Sequence, residues 1–266
     1  MRKYWHVLNI GIQNTLSYRV NFLFRSLFGL IPLTAVLSLW KTIYSQGGTT
    51  VAGYTLSQMI SYYLVITLVD MLTAVAEDDW QIAADIKDGR ISQFLLKPID
   101  YLTYRLSLFA AGRVMYATMA VVPVALFIWF QKEHFVFPAS ATQAVAFLAS
   151  VTMTALLQFF ISYSLALLAF WLQEVSTFIF IVYALEYLAG GHLFPLDILP
   201  HWAASLLLLT PFPFQLYFPA KVYLGGVTGG DLVMGLVMQF IWVCLAWMLA
   251  RTMWRRGIRH YEAVGG

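Results

Sequence analysis

The sequence predicts an all-α membrane protein that crosses a bilayer six times, and three observations carry that prediction. Its 266 residues are 61% hydrophobic and only 11% charged, against roughly 25% charged in an ordinary soluble domain. The apolar residues fall in blocks close to the ~20 residues needed to span a hydrocarbon core. The 16 Lys and Arg residues divide 13 against 3 between the two sides that six crossings define.

Taken in order, the elements form one membrane domain over residues 1–266. Residues 1–21 read as an interfacial helix, with a simple extension of the first span as the alternative, because Trp5, Leu8, Ile12 and Leu16 recur at helical spacing while Lys3, His6, Gln13 and Asn14 take other faces. The first span is Phe22 to Tyr44, too long for a signal-peptide core. The second runs from Thr55 to about Ala76, after a loop holding Gly47, Gly48 and Gly53. Thr55 with Gln58 has the spacing of a capping box. A charged stretch, 77–101, leads to a third span from Leu102 to Phe130 that contains Arg113 and Pro123. The fourth, Ala141 to Leu172, opens with a second such pair, Ser140 with Gln143. Only Gln173 and Glu174 separate it from the fifth, Val175 to Ala189. Residues 190–230 hold five of the nine prolines, a density that forbids one continuous helix. Short broken helices on the outer side are expected there. The sixth span is Asp231 to Ala250, followed by a basic tail.

The positive-inside rule orients this layout. Arg2, Lys3, Arg19, Arg25, Lys87, Arg90, Lys97, Arg105, Arg113, Arg251, Arg255, Arg256 and Arg259 fall on one side, Lys41, Lys132 and Lys221 on the other. Both termini and the 77–101 loop are therefore expected in the cytoplasm. A net charge of +3, with basic residues flanking apolar runs, gives no phosphate-binding face, so no nucleic acid partner is expected. The lone Cys244 excludes an intrachain disulfide or a cysteine zinc site. No Gly-Lys pair exists, so there is no phosphate-binding loop, and HExxH and GxSxG are also absent.

The informative segment is Asp85 to Asp100, DIKDGRISQFLLKPID. Ile91, Phe94 and Leu95 can share a helical face, Gly89 can end the preceding turn, and Pro98 stops the helix before Asp100 caps the third span. Two short helices with a bend are expected. Such an element can dock into a groove on another protein or lie flat on the bilayer, and spacing alone leaves both open.

At these residues the chain resembles permeases of the type-2 ABC exporter class, whose equivalent loop pairs a Gly and a basic or polar residue with a Leu-Leu-x-Pro pattern. Here these are Gly89, Arg90, Ile91, Leu95, Leu96, Lys97 and Pro98. It is most similar to a less characterised bacterial branch, through the opening MRKYW, the signature Met59, Tyr62, Tyr63 and Leu64, the run Asp85 to Arg90, and the Pro-Leu-x-x-Leu-Pro pattern from Pro195 to Pro200. The resemblance implies an inner-membrane transport subunit that is not itself an enzyme and binds no cofactor. ATP and Mg would be bound by separate cytoplasmic ABC ATPase subunits. It implies pairing with a second permease, identical or related, in membrane lipid. It makes Asp85, Ile86, Gly89, Arg90, Ile91, Phe94, Leu95 and Pro98 the coupling segment, and Pro195, Pro200 and Pro211 part of an outer gate.

Asp70, Arg113 and Glu186 lie within apolar spans, where an unpaired charge costs roughly 2.5–3.5 kcal/mol. Asp70 and Glu186 are candidates for a substrate path, with an interhelical pair such as Asp70 with Arg113 as the structural alternative. His192 and His201 flank a bend on the outer side with Asp197 between them, a set that could in principle hold a metal, but surface histidines beside loop prolines are the favoured reading and no metal is expected. An ATP-independent channel or secondary transporter is the alternative function.

Overall fold

The computed structural model of the chain describes residues 2–16, 19–47, 49–75 and 78–261. Met1, Gly48, Ala76 and Glu77, the end of the expected interfacial helix at Ser17 and Tyr18, and the tail beyond Tyr261 lie outside the described residues, as do the side chains of Arg2, Arg19 and Arg25. The helices are α1 (Arg2–Leu16), α2 (Arg19–Ser45), α3 (Leu56–Thr73), α4 (Asp78–Lys87), α5 (Ile91–Leu95), α6 (Tyr101–Phe130), α7 (Ala141–Ala166), α8 (Ser176–Ala189), α9 (His201–Leu207), α10 (Tyr217–Tyr223) and α11 (Gly229–His260). No strand occurs among the described residues.

Five of these stretches are long and apolar enough to cross a membrane: Leu27–Ser45, Leu56–Thr73, Tyr101–Phe130, Ala141–Phe170 and Gly229–His260. An all-α polytopic membrane protein is the architecture. The fifth expected crossing is α8, which has 14 residues and rises about 21 Å, short of a ~30 Å hydrocarbon core. It stops where Gly191 takes φ +92°, against Tyr62 and Tyr217, where a Cβ would meet the Tyr62 hydroxyl at 2.5 Å. The last helix exceeds expectation. It continues ten residues past Ala250 to His260, because the basic tail keeps an apolar face: Met253, Trp254 and Ile258 pack on the core, and the Trp254 ring stacks on Tyr101 at 4.9 Å.

Local sequence sets the helix starts. Thr55 and Gln58 form the expected reciprocal box at the start of α3. Asp100 caps α6, accepting from the Thr103 amide at 2.9 Å. The second expected box is only half made. Ser140 Oγ accepts from the Gln143 amide, but Gln143 Oε1 takes the Ala139 amide and its Nε2 donates to the Val222 and Tyr223 carbonyls. Gln143 thereby ties α7 to the end of α10 instead of closing its own cap.

The core lies between α3 and α7. Met59, Ile60 and Tyr62 on α3, and Phe159 and Tyr163 on α7, are fully buried. The region after α8 breaks into a 3₁₀ turn at Leu196–Ile198, α9, a 3₁₀ turn at Phe212–Phe214 and α10. Its prolines begin these pieces: Pro195, Pro200 and Pro211 each precede one, where a missing N–H costs nothing. The second half of this region is no surface loop. Phe214, Leu216, Tyr217, Phe218 and Ala220 are buried, and α10 packs against α3 and α7. Gln239 of α11 ties it in, with Nε2 within 3.1 Å of the Ser150 and Phe214 carbonyls and Thr154 Oγ1, while Oε1 accepts from Ser150 Oγ.

Candidate functional site

Two places gather the residues singled out by sequence: the α4–α5 element and a cavity beside it. In the first, α4 and α5 are joined by a turn in which Gly89 has φ +74°, a left-handed conformation that favours glycine. The base of the element is anchored. Ile82, Ile86 and Ile91 are buried, and Asp85 accepts from Arg105 Nη2 and from the Tyr101 hydroxyl, each at 2.8 Å. Both partners of that ion pair are nearly sealed, with side-chain exposures of 5% for Arg105 and 12% for Asp85. A buried pair of this kind holds only when its remaining polar atoms are bonded, and Arg105 Nε meets the Tyr101 hydroxyl at 3.0 Å.

The tip is open. Arg90 bonds Asp88 at the surface and lies 3.6 Å from Asp85, while Leu95 and Leu96 are 54% and 89% exposed and Lys97 and Pro98 are also exposed. The expected shared face of Ile91, Phe94 and Leu95 is therefore corrected. With only five residues in α5, Ile91 turns into the core and Phe94 packs on Tyr101 and Tyr104, leaving Leu95 outward beside Leu96. The carbonyl of Pro98 accepts from Lys3, and the Asp100 amide donates to the Tyr4 hydroxyl, so α1 straps the far arm of the element. Asp100 also pairs with Arg251 of α11 at 2.5 Å. Burial opposes ionisation of Asp100, but Arg251 and the Thr103 donors outweigh it and hold the carboxyl below the usual range.

The second place is a cavity of about 210 Å³ whose lining includes Asp70, Gln158, Tyr183, Glu186, His192 and Gln215. The two substrate-path candidates thus meet in one space, brought together by α3 and α8, with α7 supplying Gln158. Gln158 and Gln215 are 6% and 1% exposed, yet among the described residues both amide atoms of Gln158, Gln215 Oε1 and His192 Nδ1 have no hydrogen-bond partner. Buried polar atoms are almost always bonded, so these four are exceptions gathered around one cavity. Arg113 is elsewhere, its guanidinium over the Phe109 and Tyr116 rings at 5.6 and 5.5 Å.

One hydrogen bond joins the two places. The Tyr183 hydroxyl, in the cavity wall, donates to Asp79 of α4 at 2.6 Å. Burial raises the Asp79 carboxyl above its ordinary range, with the Tyr183 and Trp80 donors pulling against that shift. Sequence reasoning missed Asp79, and also a latch on the region after α8. There Asp197 accepts from Lys221 at 2.6 Å and from Tyr54 at 2.7 Å. Burial works against the Asp197 charge, but these donors hold its carboxyl below the usual range. The Tyr-Tyr signature also gains a role: Tyr62 and Tyr63 donate to the Gly191 and Leu193 carbonyls, fixing the chain where α8 ends. Among the described residues no group of His, Cys, Asp and Glu is placed to hold a metal.

An all-α polytopic chain with an anchored helical knuckle and a polar cavity among its helices has the make-up of a membrane transport subunit. The family described as ABC-2 family transporter protein matches residues 30–265, and the chain belongs to it. Members are transport subunits whose ATPase activity resides in a separate partner. No curated protein and no solved structure matches the chain.

Proposed function

We propose that the chain is the membrane-spanning permease subunit of an ABC exporter of the bacterial inner membrane, moving its substrate by alternating access as separate ATPase subunits bind and hydrolyse ATP with Mg. The observation that carries this reading is the build of the α4–α5 element. A rigid base, sealed by Asp85 with Arg105, supports an exposed tip of Arg90, Leu95, Leu96 and Lys97. An apolar pair flanked by cations suits a groove on a partner protein, and the internal bonds of the base suit force transmission. In this reading Asp85, Ile86 and Ile91 hold the coupling segment from within, Gly89 bends it, Phe94 seats it on α6, and Arg90, Leu95 and Pro98 lie at the partner's side.

The remaining organisation follows. The helix α8, with the broken chain after it, completes a sixth crossing, and the 13-to-3 split of basic residues supports a cytoplasmic side for both termini and the knuckle. The outer region with Pro195, Pro200 and Pro211 acts as a gate, latched by Asp197 with Lys221. A second permease copy or relative completes the pathway, within lipid.

The test is purification with bound partners and assay of vanadate-sensitive ATP turnover. Arg90→Glu and Leu96→Asp should leave membrane insertion and thermal stability unchanged while lowering coupled export about tenfold or more, since charge reversal at a docking rim weakens association. Normal export by both variants, or cargo movement by the isolated chain without any ATPase, would refute the assignment.

A further inference from the structure

Cations collect around Asp100, where the helices α1, α6 and α11 come together at one edge of the bundle. The helix α6 begins at Tyr101, so Pro98 and Asp100 stand at the edge of an apolar stretch long enough to cross a membrane. From this edge α1 runs along α6. Lys3 donates to the Pro98 carbonyl and the Tyr4 hydroxyl accepts from the Asp100 amide, while Gly11 lies so close to α6 that a Cβ there would meet Ala111 at 2.9 Å. Trp5 is 63% exposed, and an exposed Trp beside the start of a span sits at headgroup depth. On the other side of Asp100, Arg251 pairs with its carboxylate. Arg255 and Arg259 follow at intervals of four along α11, both exposed, and extend the strip. The Lys3 ammonium has three donors, and the one given to Pro98 meets a neutral carbonyl, which does not cancel its charge.

We infer that the seam between α1 and the end of α11 is a docking site for the headgroup of an anionic phospholipid, which clamps α1 onto the arm leading from the α4–α5 element into α6. Lys3 and Arg255 take the phosphate from the two sides of Asp100, and the acyl chains lie along the exposed Ile10 and Leu16 of α1. Charge complementarity selects this occupant. Each Lys or Arg at a membrane surface strengthens attachment to anionic lipid about fivefold, whereas a zwitterionic headgroup brings its own cation to the same place. An acidic protein segment would have to enter the headgroup layer to reach Lys3 beside Trp5. The lipid site does not depend on the permease reading; only its bearing on ATP coupling does.

The experiment is native mass spectrometry of the full-length chain in detergent, titrated with phosphatidylglycerol or with phosphatidylcholine of the same acyl chains. The first phosphatidylglycerol should bind at least about tenfold more tightly than the first phosphatidylcholine. Lys3→Gln and Arg255→Gln should each lower that preference about fivefold, and Lys3→Arg should keep it. Lys132→Gln, which removes a lysine beside Trp129 at the opposite end of α6, should leave it intact. Hydrogen exchange at the Ile99 and Asp100 amides should slow with phosphatidylglycerol in the parent chain and not in Lys3→Gln. Equal affinity for the two lipids, equal losses in Lys3→Gln and Lys132→Gln, or unchanged exchange at Ile99 and Asp100 would overturn the inference. Displacement of the lipid by glycerol 3-phosphate would overturn it too, by showing a site for free phosphate instead.

Discussion

The α4–α5 end of the bundle and the cavity beside it treat polar groups in opposite ways. At the first, Asp79, Asp85, Asp88 and Asp100 each accept from a named donor. In the second, buried amide and imidazole atoms have no partner among the described residues. The two lie one hydrogen bond apart, so burial alone does not explain the contrast. A satisfied network makes a stiff frame, whereas unsatisfied groups leave bonding capacity that water, an ion or a ligand can take up. The knuckle is a bonded frame, and the cavity wall keeps unused bonding capacity.

The largest effect should come from breaking the frame. Arg105→Leu takes the close, buried ion-pair partner from Asp85 and leaves it only the Tyr101 hydroxyl and Arg90 at 3.6 Å, a loss of up to about 3–5 kcal/mol. Unfolding of the purified protein in detergent checks it. The double variant with Asp85→Asn should recover part of that loss, because it removes the stranded charge; no recovery would mean that Arg105 acts through packing alone. A matched pair of glutamines sharpens the comparison further. Gln239→Leu forfeits bonds to Ser150, Thr154 and Phe214 and should destabilise by about 1–3 kcal/mol. Gln158→Leu removes a buried amide that bonds nothing among the described residues and should be neutral or stabilising. Equal losses in the two variants would erase the distinction between frame and cavity.

Much of the frame was legible because it rests on local rules. The Thr55 box, the Asp100 cap and the Gly89 bend each follow from residues within four positions of one another. The outward turn of Leu95 was not legible, since five residues make too short a helix for its face to be set by periodicity, and Tyr101 and Tyr104 decide it instead. The end of α11 was misjudged because basic charge read as a tail while Trp254 and Ile258 kept helical spacing. For the cavity, Asp70 and Glu186 stood out as charges in apolar runs. Gln158 and Gln215 did not, because a neutral amide in a span carries no charge signal and the two are 57 positions apart. The link from Asp79 to Tyr183 crosses 104 positions, and no short-range pattern encodes it.

That link yields a smaller effect. Tyr183→Phe removes one hydrogen bond to a partly buried carboxyl, worth about 1 kcal/mol of stability. Thermal unfolding of the purified protein in detergent checks it, and an unchanged midpoint would show that the Asp79 carboxyl finds another donor.

The smallest effects are those of pH, and they distinguish Asp79 from the two carboxylates held low. A raised folded pKa, as at Asp79, gives stability that is complete below the unfolded value near 3.8 and fades as pH rises through the folded one. A lowered one, as at Asp100 and Asp197, gives stability that is complete above 3.8 and fades only as pH falls further. Acidification from neutral should therefore first strengthen the fold slightly through Asp79, then weaken it below the ordinary carboxylate range as the Arg251 and Lys221 pairs dissolve. Thermal unfolding across pH reads both limbs. Asp79→Asn should flatten the upper limb alone and Asp197→Asn the lower limb alone. If Asp79→Asn changed both, the α4 anchor and the Asp197 latch would be one coupled unit, and the separation of frame from gate would fail.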